Sequence, residues 1–219
     1  MKNIKYLIAL TLLIWSSKIF AQKEPDKPIF ESVMLQEGSK IYIQKGLPIY
    51  LSISTSKGGA AINLETPTHP QDANPMFLDT EGVNYIRSKW AIDQETKAYH
   101  NPRREILFPV YADGMAPNTR VVFSGASKYV GGGTTFFGPG LIFDLPAQES
   151  MSGLSKTFFS EKGQYVEYAE SKSKIDTEGA RYLFFFSVDK VGNSEQTKSS
   201  SFTVDLTAPE TTGNFIGVK

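Results

Sequence analysis

Residues 181–188 read Arg-Tyr-Leu-Phe-Phe-Phe-Ser-Val and give the strongest strand signal in the chain. Successive side chains of a strand point to opposite faces. One face therefore carries Tyr182, Phe184, Phe186 and Val188. Leu183 and Phe185 make much of the other face apolar as well. A strand that is apolar on both faces is typical of the centre of a sheet, so this segment predicts a central strand, and we expect Phe184 and Phe186 in the core.

The rest of the chain favours strands as well. Aromatic residues make up 12% of the 219 residues, with 15 Phe and 10 Tyr, and such residues are enriched in strands. No long segment has apolar residues at the spacing of a helix. Short apolar runs separated by Gly, Pro, Asn and Ser are found instead, and these are typical of strands. The chain is therefore predicted to be all-β, with strands at residues 40–43, 49–54, 84–93, 105–112, 120–124, 134–137, 141–145, 156–160, 165–169, 181–188 and 201–204.

An internal repeat divides the chain. Six residues recur without a gap at an offset of 92: Asp113, Ala116, Pro117, Thr119, Phe123 and Gly125 become Asp205, Ala208, Pro209, Thr211, Phe215 and Gly217. A period of this length matches a sandwich of about seven strands. We therefore predict two tandem Ig-like β-sandwich domains, residues 29–114 with a loop insertion at 61–76 and residues 115–209. Residues 210–219 are interpreted as the start of an incomplete third repeat or a disordered tail.

The N-terminus has the pattern of a secretory signal peptide. Lys2 and Lys5 precede an apolar run over residues 6–15, and Ala21 is a small residue at the expected cleavage point. We predict a signal peptide at residues 1–21, a spacer at 22–28 and no transmembrane helix in the mature chain. The protein is then exported, to the periplasm, the outer membrane or the cell surface. The chain has no cysteine, so its stability must come from packing.

Several motifs of the second half resemble a known repeat. They are Ser152-Gly153, Phe158-Phe159, residues 165–168, the Ser-Val-Asp-Lys-Val-Gly-Asn segment at 187–193 and residues 204–209. Together they are similar to the bacterial Ig-like repeat found in tandem in exported surface and outer-membrane proteins. The similarity covers residues 116–209 well and residues 28–115 only in part, because the first half lacks the Ser-Val-Asp segment. What the resemblance implies is a non-catalytic exported module without a cofactor.

No group of residues demands a reaction or a metal. Asp189 and Asn193 bracket a turn with Gly192, which is typical of a hairpin. The acids Asp189, Glu195, Asp113 and Asp205 are the candidates for calcium ligands, but the dense spacing of a calcium loop is absent. His69 and His100 stand alone in Pro-containing loops. The glycines at 131–133 lack the Lys of a phosphate loop and predict a connection between strands. We expect no catalytic, cofactor-binding or metal residues and no enzyme.

Two kinds of function fit these observations. The first is a structural spacer or an adhesive, protein-interaction domain at the bacterial cell envelope, with an envelope or host protein as partner. The alternative is a carbohydrate-binding accessory module for a surface polysaccharide. That module needs exposed coplanar aromatics, for which Tyr111, Tyr129, Phe136 and Phe137 are candidates, whereas Trp90 is expected in the core. The balance of 23 basic and 23 acidic residues disfavours nucleic acid.

Overall fold

The computed structural model describes residues 23–50, 52–60, 62–63, 75, 77–78, 80–87, 95–98, 107–169 and 173–213. Over these residues the chain is all-β, with seventeen strands and no helix. This confirms the predicted fold class. A search of the same ranges finds no helix of the length and hydropathy that crossing a membrane requires. The signal peptide predicted at 1–21 lies outside the described residues.

The first strands belong to what we call the N-terminal part, residues 34–113. They are β1 (Met34–Glu37), β2 (Lys40–Gln44), β3 (Ser52–Ile53), β4 (Ile62–Asn63), β5 (Gly82–Arg87) and β6 (Leu107–Asp113). Four of them form a sheet in the order β1-β2-β6-β5, in which β2 and β6 run parallel. Ile43 and Val110 are buried on one side of this sheet, against Ile41, Leu47, Ile49 and Leu78.

The remaining strands belong to the C-terminal part, residues 118–204. They are β7 (Asn118–Thr119), β8 (Val122–Ser124), β9 (Lys128–Gly131), β10 (Thr134–Phe137), β11 (Leu141–Asp144), β12 (Ala147–Gln148), β13 (Leu154–Ser160), β14 (Val166–Glu167), β15 (Ser173–Ile175), β16 (Gly179–Asp189) and β17 (Lys198–Val204). A six-stranded sheet has the order β14-β13-β16-β17-β10-β9, and a three-stranded sheet has the order β15-β11-β8.

The larger hydrophobic core joins these two sheets. It contains Leu183 and Phe185 from the six-stranded sheet, and Leu141 and Phe143 from the three-stranded sheet. Leu141, Phe143 and Leu183 have no exposed surface. Side chains of two sheets that share one core are consistent with a β-sandwich.

Strand β16 is central, as the sequence predicts, but its two faces differ in what covers them. Leu183 and Phe185 enter the core between the sheets, whereas Phe184 and Phe186 point to the outer face of the six-stranded sheet. Phe186 is nevertheless 0% exposed. Phe184 and Phe186 are buried, as expected of core residues, but alternation places them on the outer face of the sheet. Another segment of the chain covers Phe186 there.

Most of the residues that the structure does not describe lie in the first half of the chain. Two residues of the insertion predicted at 61–76, Ile62 and Asn63, form strand β4 and pair with β3. Most of that insertion, together with Trp90, His69 and His100, lies outside the described residues. Of the tail at 210–219, residues 210–213 are exposed and carry no strand, and the rest lies outside the described ranges.

Candidate functional site

The turn after β16 is a buried polar feature of the fold with several hydrogen bonds. Asp189 Oδ1 accepts hydrogen bonds from the backbone N–H of Val191 at 3.0 Å and of Asn193 at 2.8 Å. Gly192 has a φ of 98°, in the left-handed region that glycine adopts without strain. The hairpin-turn interpretation is thus confirmed, since β16 continues into a bridge between Val188 and Ser194. Unlike most turns, this one is buried: Asp189 is 2% exposed.

The Asn193 side chain links this turn to the N-terminal part. Its Nδ2 donates to Asp189 Oδ2 at 2.7 Å and to the backbone oxygen of Asp113 at 3.0 Å. Its Oδ1 accepts a hydrogen bond from Gln44 Nε2 at 3.2 Å. We call Asp113, Asp189, Asn193 and Gln44 the joint. A buried amide that uses both its donor and its acceptor fixes the groups around it.

Asp113 also fixes the start of the linker between the parts. It ends β6 and has 1% of its surface exposed. Its carboxylate accepts hydrogen bonds from the backbone N–H of Ser152 at 3.1 Å and of Met115 at 3.3 Å. One aspartate therefore ties the last strand of the N-terminal part to a loop of the C-terminal part.

The joint holds two carboxylates close enough to interact. The pKa of Asp189 is raised above its ordinary value, chiefly because burial removes water from its charged form, and the charge of Asp113 adds to this rise. The hydrogen bonds from Asn193 and Val191 act in the opposite direction. The lone pairs that would bind a cation already accept N–H groups at Asp189 and Asp113.

The four acids weighed as calcium ligands do not come together. Asp113 and Asp189 meet in the joint. Glu195 binds other groups, and Asp205 is exposed and accepts a hydrogen bond from the N–H of Thr207. Within the described ranges, no three His, Cys, Asp or Glu side chains form a group that could hold a metal ion.

Glu195 has a buried carboxylate whose hydrogen bonds connect β7 to β16. It is 6% exposed. It accepts hydrogen bonds from the N–H of Ser187 at 2.9 Å and of Thr119 at 3.1 Å, and Lys198 Nζ lies 2.7 Å away. These hydrogen bonds and the Lys198 charge offset the cost of burying the carboxylate, which gives Glu195 a structural role. Sequence reasoning treated Glu195 only as a calcium candidate, and its position beside the Asp-x-x-Gly-Asn segment was the available signal.

A strap formed by residues 23–33 crosses the outer face of the six-stranded sheet. The Phe30 ring lies 5.5 Å from the ring of Phe158 and 6.0 Å from that of Phe186. Lys27 Nζ lies 4.4 Å from the centre of the Phe186 ring and donates a hydrogen bond to the backbone oxygen of Glu195. Burial is the main cause that lowers the pKa of Lys27. Part of the segment predicted as a spacer is thus a packed element.

The strap also requires the glycine of the turn. A Cβ atom at residue 192 would lie 2.4 Å from the backbone oxygen of Glu31. The N–H of Val33 donates to the oxygen of Val191 at 3.0 Å. Gly192 therefore serves two purposes, since it turns the chain and lets the backbone of the strap approach.

The four aromatic candidates for carbohydrate binding are not brought together. Phe137 is 4% exposed and belongs to the core. Tyr111 lies in β6, where its ring is 5.1 Å from that of Tyr42. Tyr129 and Phe136 are neighbours on β9 and β10, with ring centres 6.2 Å apart. Only this last pair forms a shared surface, and 69% of Tyr129 is exposed.

Two other features are accounted for by local structure. Gly132 and Gly133, with φ of 60° and 79°, form the tight turn between β9 and β10, which agrees with the predicted connection.

A surface groove of about 690 Å³ lies beside the linker and is lined in part by Met115 and Glu149. Its carboxylate is engaged, because Glu149 accepts hydrogen bonds from the N–H groups of Met151 and Gly153.

The comparisons with known proteins were negative. No family model matches the chain, and no curated protein and no solved structure matches it either. The geometry of the described residues is therefore the basis for the functional interpretation.

Proposed function

We propose that this chain is a non-catalytic, exported module that acts as a structural spacer or an adhesive, protein-interaction domain at the bacterial cell envelope. Its two parts are two tandem Ig-like β-sandwich domains of the bacterial surface-repeat type. The resemblance of residues 116–209 to that repeat and the signal-peptide pattern of residues 1–21 support this proposal.

The observation that carries the proposal is the joint. A spacer transmits position and force only if its modules keep one relative orientation. Here Asn193 bonds to Asp113 and Gln44 of the other part, and the strap adds apolar contacts through Phe30. The pair Lys190–Glu37, at 2.6 Å, also joins the parts, although exposed ion pairs contribute little. Buried polar contacts and an apolar strap together favour a stiff connection.

The buried acids support a structural role over catalysis. Carboxylates that act as acid or base need access to a substrate. Asp113, Asp189 and Glu195 are all buried and accept backbone N–H groups.

Distance measurements between spin labels test the stiffness. Because the chain has no cysteine, Val83→Cys in β5 and Lys128→Cys in β9 introduce unique labelling sites on the two parts. We expect one narrow distance distribution by double electron–electron resonance, and a broader one when Asn193→Ala is added. Lys174→Ala, which removes an exposed ion pair with Asp176, is the control. A broad distribution in the unmodified joint would overturn the spacer function.

Protease treatment of intact cells tests the compartment. We expect the mature chain to begin at Gln22 and to be exported, and mass spectrometry of the released peptides then reports the side of the outer membrane. A chain that keeps Met1 and stays in the cytoplasmic fraction would contradict export.

A further inference from the structure

The outer face of the six-stranded sheet has two unlike halves. The strap covers Phe186 and Phe158, and the ion pair Lys156–Glu167 lies beside them. The other half consists of β9, β10, β17 and the start of β16. Phe137, Phe202 and Val204 of these strands point into the core, so the residues that alternate with them point outward.

This second half is an uncharged surface. Its outward side chains include the aromatics Tyr129, Phe136 and Tyr182, and the hydroxyl residues Thr134, Ser201 and Thr203. In register, Phe136 pairs with Tyr129 on one side and Thr203 on the other, and Tyr182 pairs with Ser201. None of the outward positions on these strands is Asp, Glu, Lys or Arg, although 21% of the chain is charged. We call this surface the aromatic–hydroxyl face.

The Tyr129 ring lies close to Gly131 on this face. A Cβ atom at residue 131 would lie 2.6 Å from Tyr129 Cε1 and 2.8 Å from its Oη. The ring therefore lies along its own strand over Gly131, where no side chain intervenes. With 69% of its surface exposed and Phe136 beside it at an interplanar angle of 38°, the ring presents its free side to solvent.

The chemistry of this face matches a sugar. The C–H side of a pyranose packs on an exposed aromatic ring, and its hydroxyl groups exchange hydrogen bonds with Ser and Thr hydroxyls. A nucleic acid or an acidic polymer would need basic residues instead. Adjacent strands are about 4.8 Å apart, so the face spans roughly 14 Å from β9 to β16, the length of a short oligosaccharide.

We propose that the aromatic–hydroxyl face binds an uncharged polysaccharide, with Tyr129 as the stacking residue. This inference goes beyond the spacer function, because it names a ligand class and a site. Failure of binding leaves the joint and the distance measurements unaffected, so the two proposals are tested separately.

Depletion from solution by insoluble neutral polysaccharides tests the proposal. The mature chain is mixed with microcrystalline cellulose, chitin, curdlan or starch granules, and the free fraction is measured. We expect binding to at least one of them. Because no charge is involved, the affinity should be unchanged between about 0.1 M and about 1 M NaCl.

Three variants locate the site. Tyr129→Ala should weaken binding about tenfold or more, since it removes the stacking ring. Gly131→Val keeps every aromatic residue but displaces the ring, and it should weaken binding as well. Val130→Ala is the matched control, because Val130 is 61% exposed on the same strand and points to the opposite face, and it should bind like the wild type. Thermal melts confirm that each variant is folded.

Each contrary result overturns the proposal. Absence of binding to all four polysaccharides does so, and so does wild-type binding by Tyr129→Ala. Binding that disappears at high salt indicates a charged site elsewhere. Sedimentation velocity tests whether a second copy of the chain binds this face instead. A concentration-dependent dimer that Tyr129→Ala abolishes would show that it does.

Discussion

Phe186 shows at the scale of one residue how the outer face of a sheet becomes buried. Its ring contacts Phe158 at 5.2 Å, Tyr165 at 4.9 Å and Phe30 at 6.0 Å, all between ring centres. Three aromatic neighbours and the Lys27 side chain leave it without exposed surface. A second, smaller apolar cluster therefore lies on the side of β16 that faces away from the core between the sheets.

Replacing this ring should be costly. We expect Phe186→Ala to lower the free energy of unfolding by about 3 to 5 kcal/mol, because the cavity is enclosed by the strap and the sheet. Urea denaturation followed by circular dichroism measures the change. Val166→Ala, in β14 of the same sheet and 50% exposed, should change it by less than about 1 kcal/mol. A similarly small loss in Phe186→Ala would contradict a packed strap.

Asp189 should make the stability depend on pH. Its pKa is raised above the ordinary value of 3.8, so the folded state binds this proton more tightly than the unfolded state. The stability that Asp189 contributes is therefore highest at low pH and falls as pH rises through the folded pKa. Asp189→Asn cannot titrate.

The quantity to compare is the free energy of unfolding of the wild type minus that of Asp189→Asn at each pH. We expect the free energy of unfolding of the wild type, relative to Asp189→Asn, to fall as pH rises above the ordinary carboxyl pKa of 3.8. Urea titrations at several pH values measure this difference. A difference that grows with pH would show that the N–H bonds outweigh burial and the charge of Asp113.

At the scale of elements, the strap and the turn depend on each other. The strap lies against Gly192, where the backbone oxygen of Glu31 occupies the space of a side chain. The backbone oxygen of Val191 in the turn accepts a hydrogen bond from the N–H of Val33 in the strap. Gly192 is therefore needed both for the positive φ of the turn and for the close approach of the strap.

Gly192→Ala should release the strap as well as strain the turn. Gly163 is the matched control, because its φ of 85° is also positive but nothing lies within 4 Å of its Cβ position. A positive φ costs roughly 1 to 2 kcal/mol in either variant. We expect Gly192→Ala to lose more than this, and chymotrypsin to cleave after Phe30 faster only in that variant. Equal losses and equal cleavage would contradict the contact.

At the scale of the whole molecule, the repeated aspartates have different environments. Asp113 and Asp205 correspond at an offset of 92, yet Asp113 is 1% exposed and Asp205 is exposed. The difference arises because Asn193 and the N–H of Ser152 bond to Asp113. Of these two aspartates, only Asp113, which lies where the two parts meet, is buried and belongs to the joint.

Metal removal should leave the fold unchanged. Each carboxylate of the joint already accepts N–H groups at both of its oxygens, so a cation would compete with these donors. We expect the melting temperature to be the same with EDTA and with added CaCl₂. A fall of several degrees in EDTA would show that a bound cation stabilises the folded state.

Local patterns were sufficient for many of the strands. Period-two alternation predicts β6, because one buried face imposes that pattern, and apolar residues on both faces predict β16 as a central strand. The sequence patterns do not predict β1, β4, β7, β9, β12 and β15, because these strands are only two to four residues long and do not stand out from their surroundings. The joint was missed for another reason: Asp113 and Asn193 are 80 positions apart, and no local pattern encodes their contact.

The all-β class, the central position of β16 and the turn at Asp189 can be predicted from the sequence, because each depends on residues that are neighbours along the chain. Three features are visible only in the folded chain: the strap covers Phe186, Asn193 bonds to Gln44 and Asp113, and Tyr129 and Phe136 lie apart from Tyr111 and Phe137. These contacts depend on how strands distant in sequence are paired and stacked. Alternation specifies that a side chain leaves one face of a strand, whereas the neighbouring elements decide what lies against it.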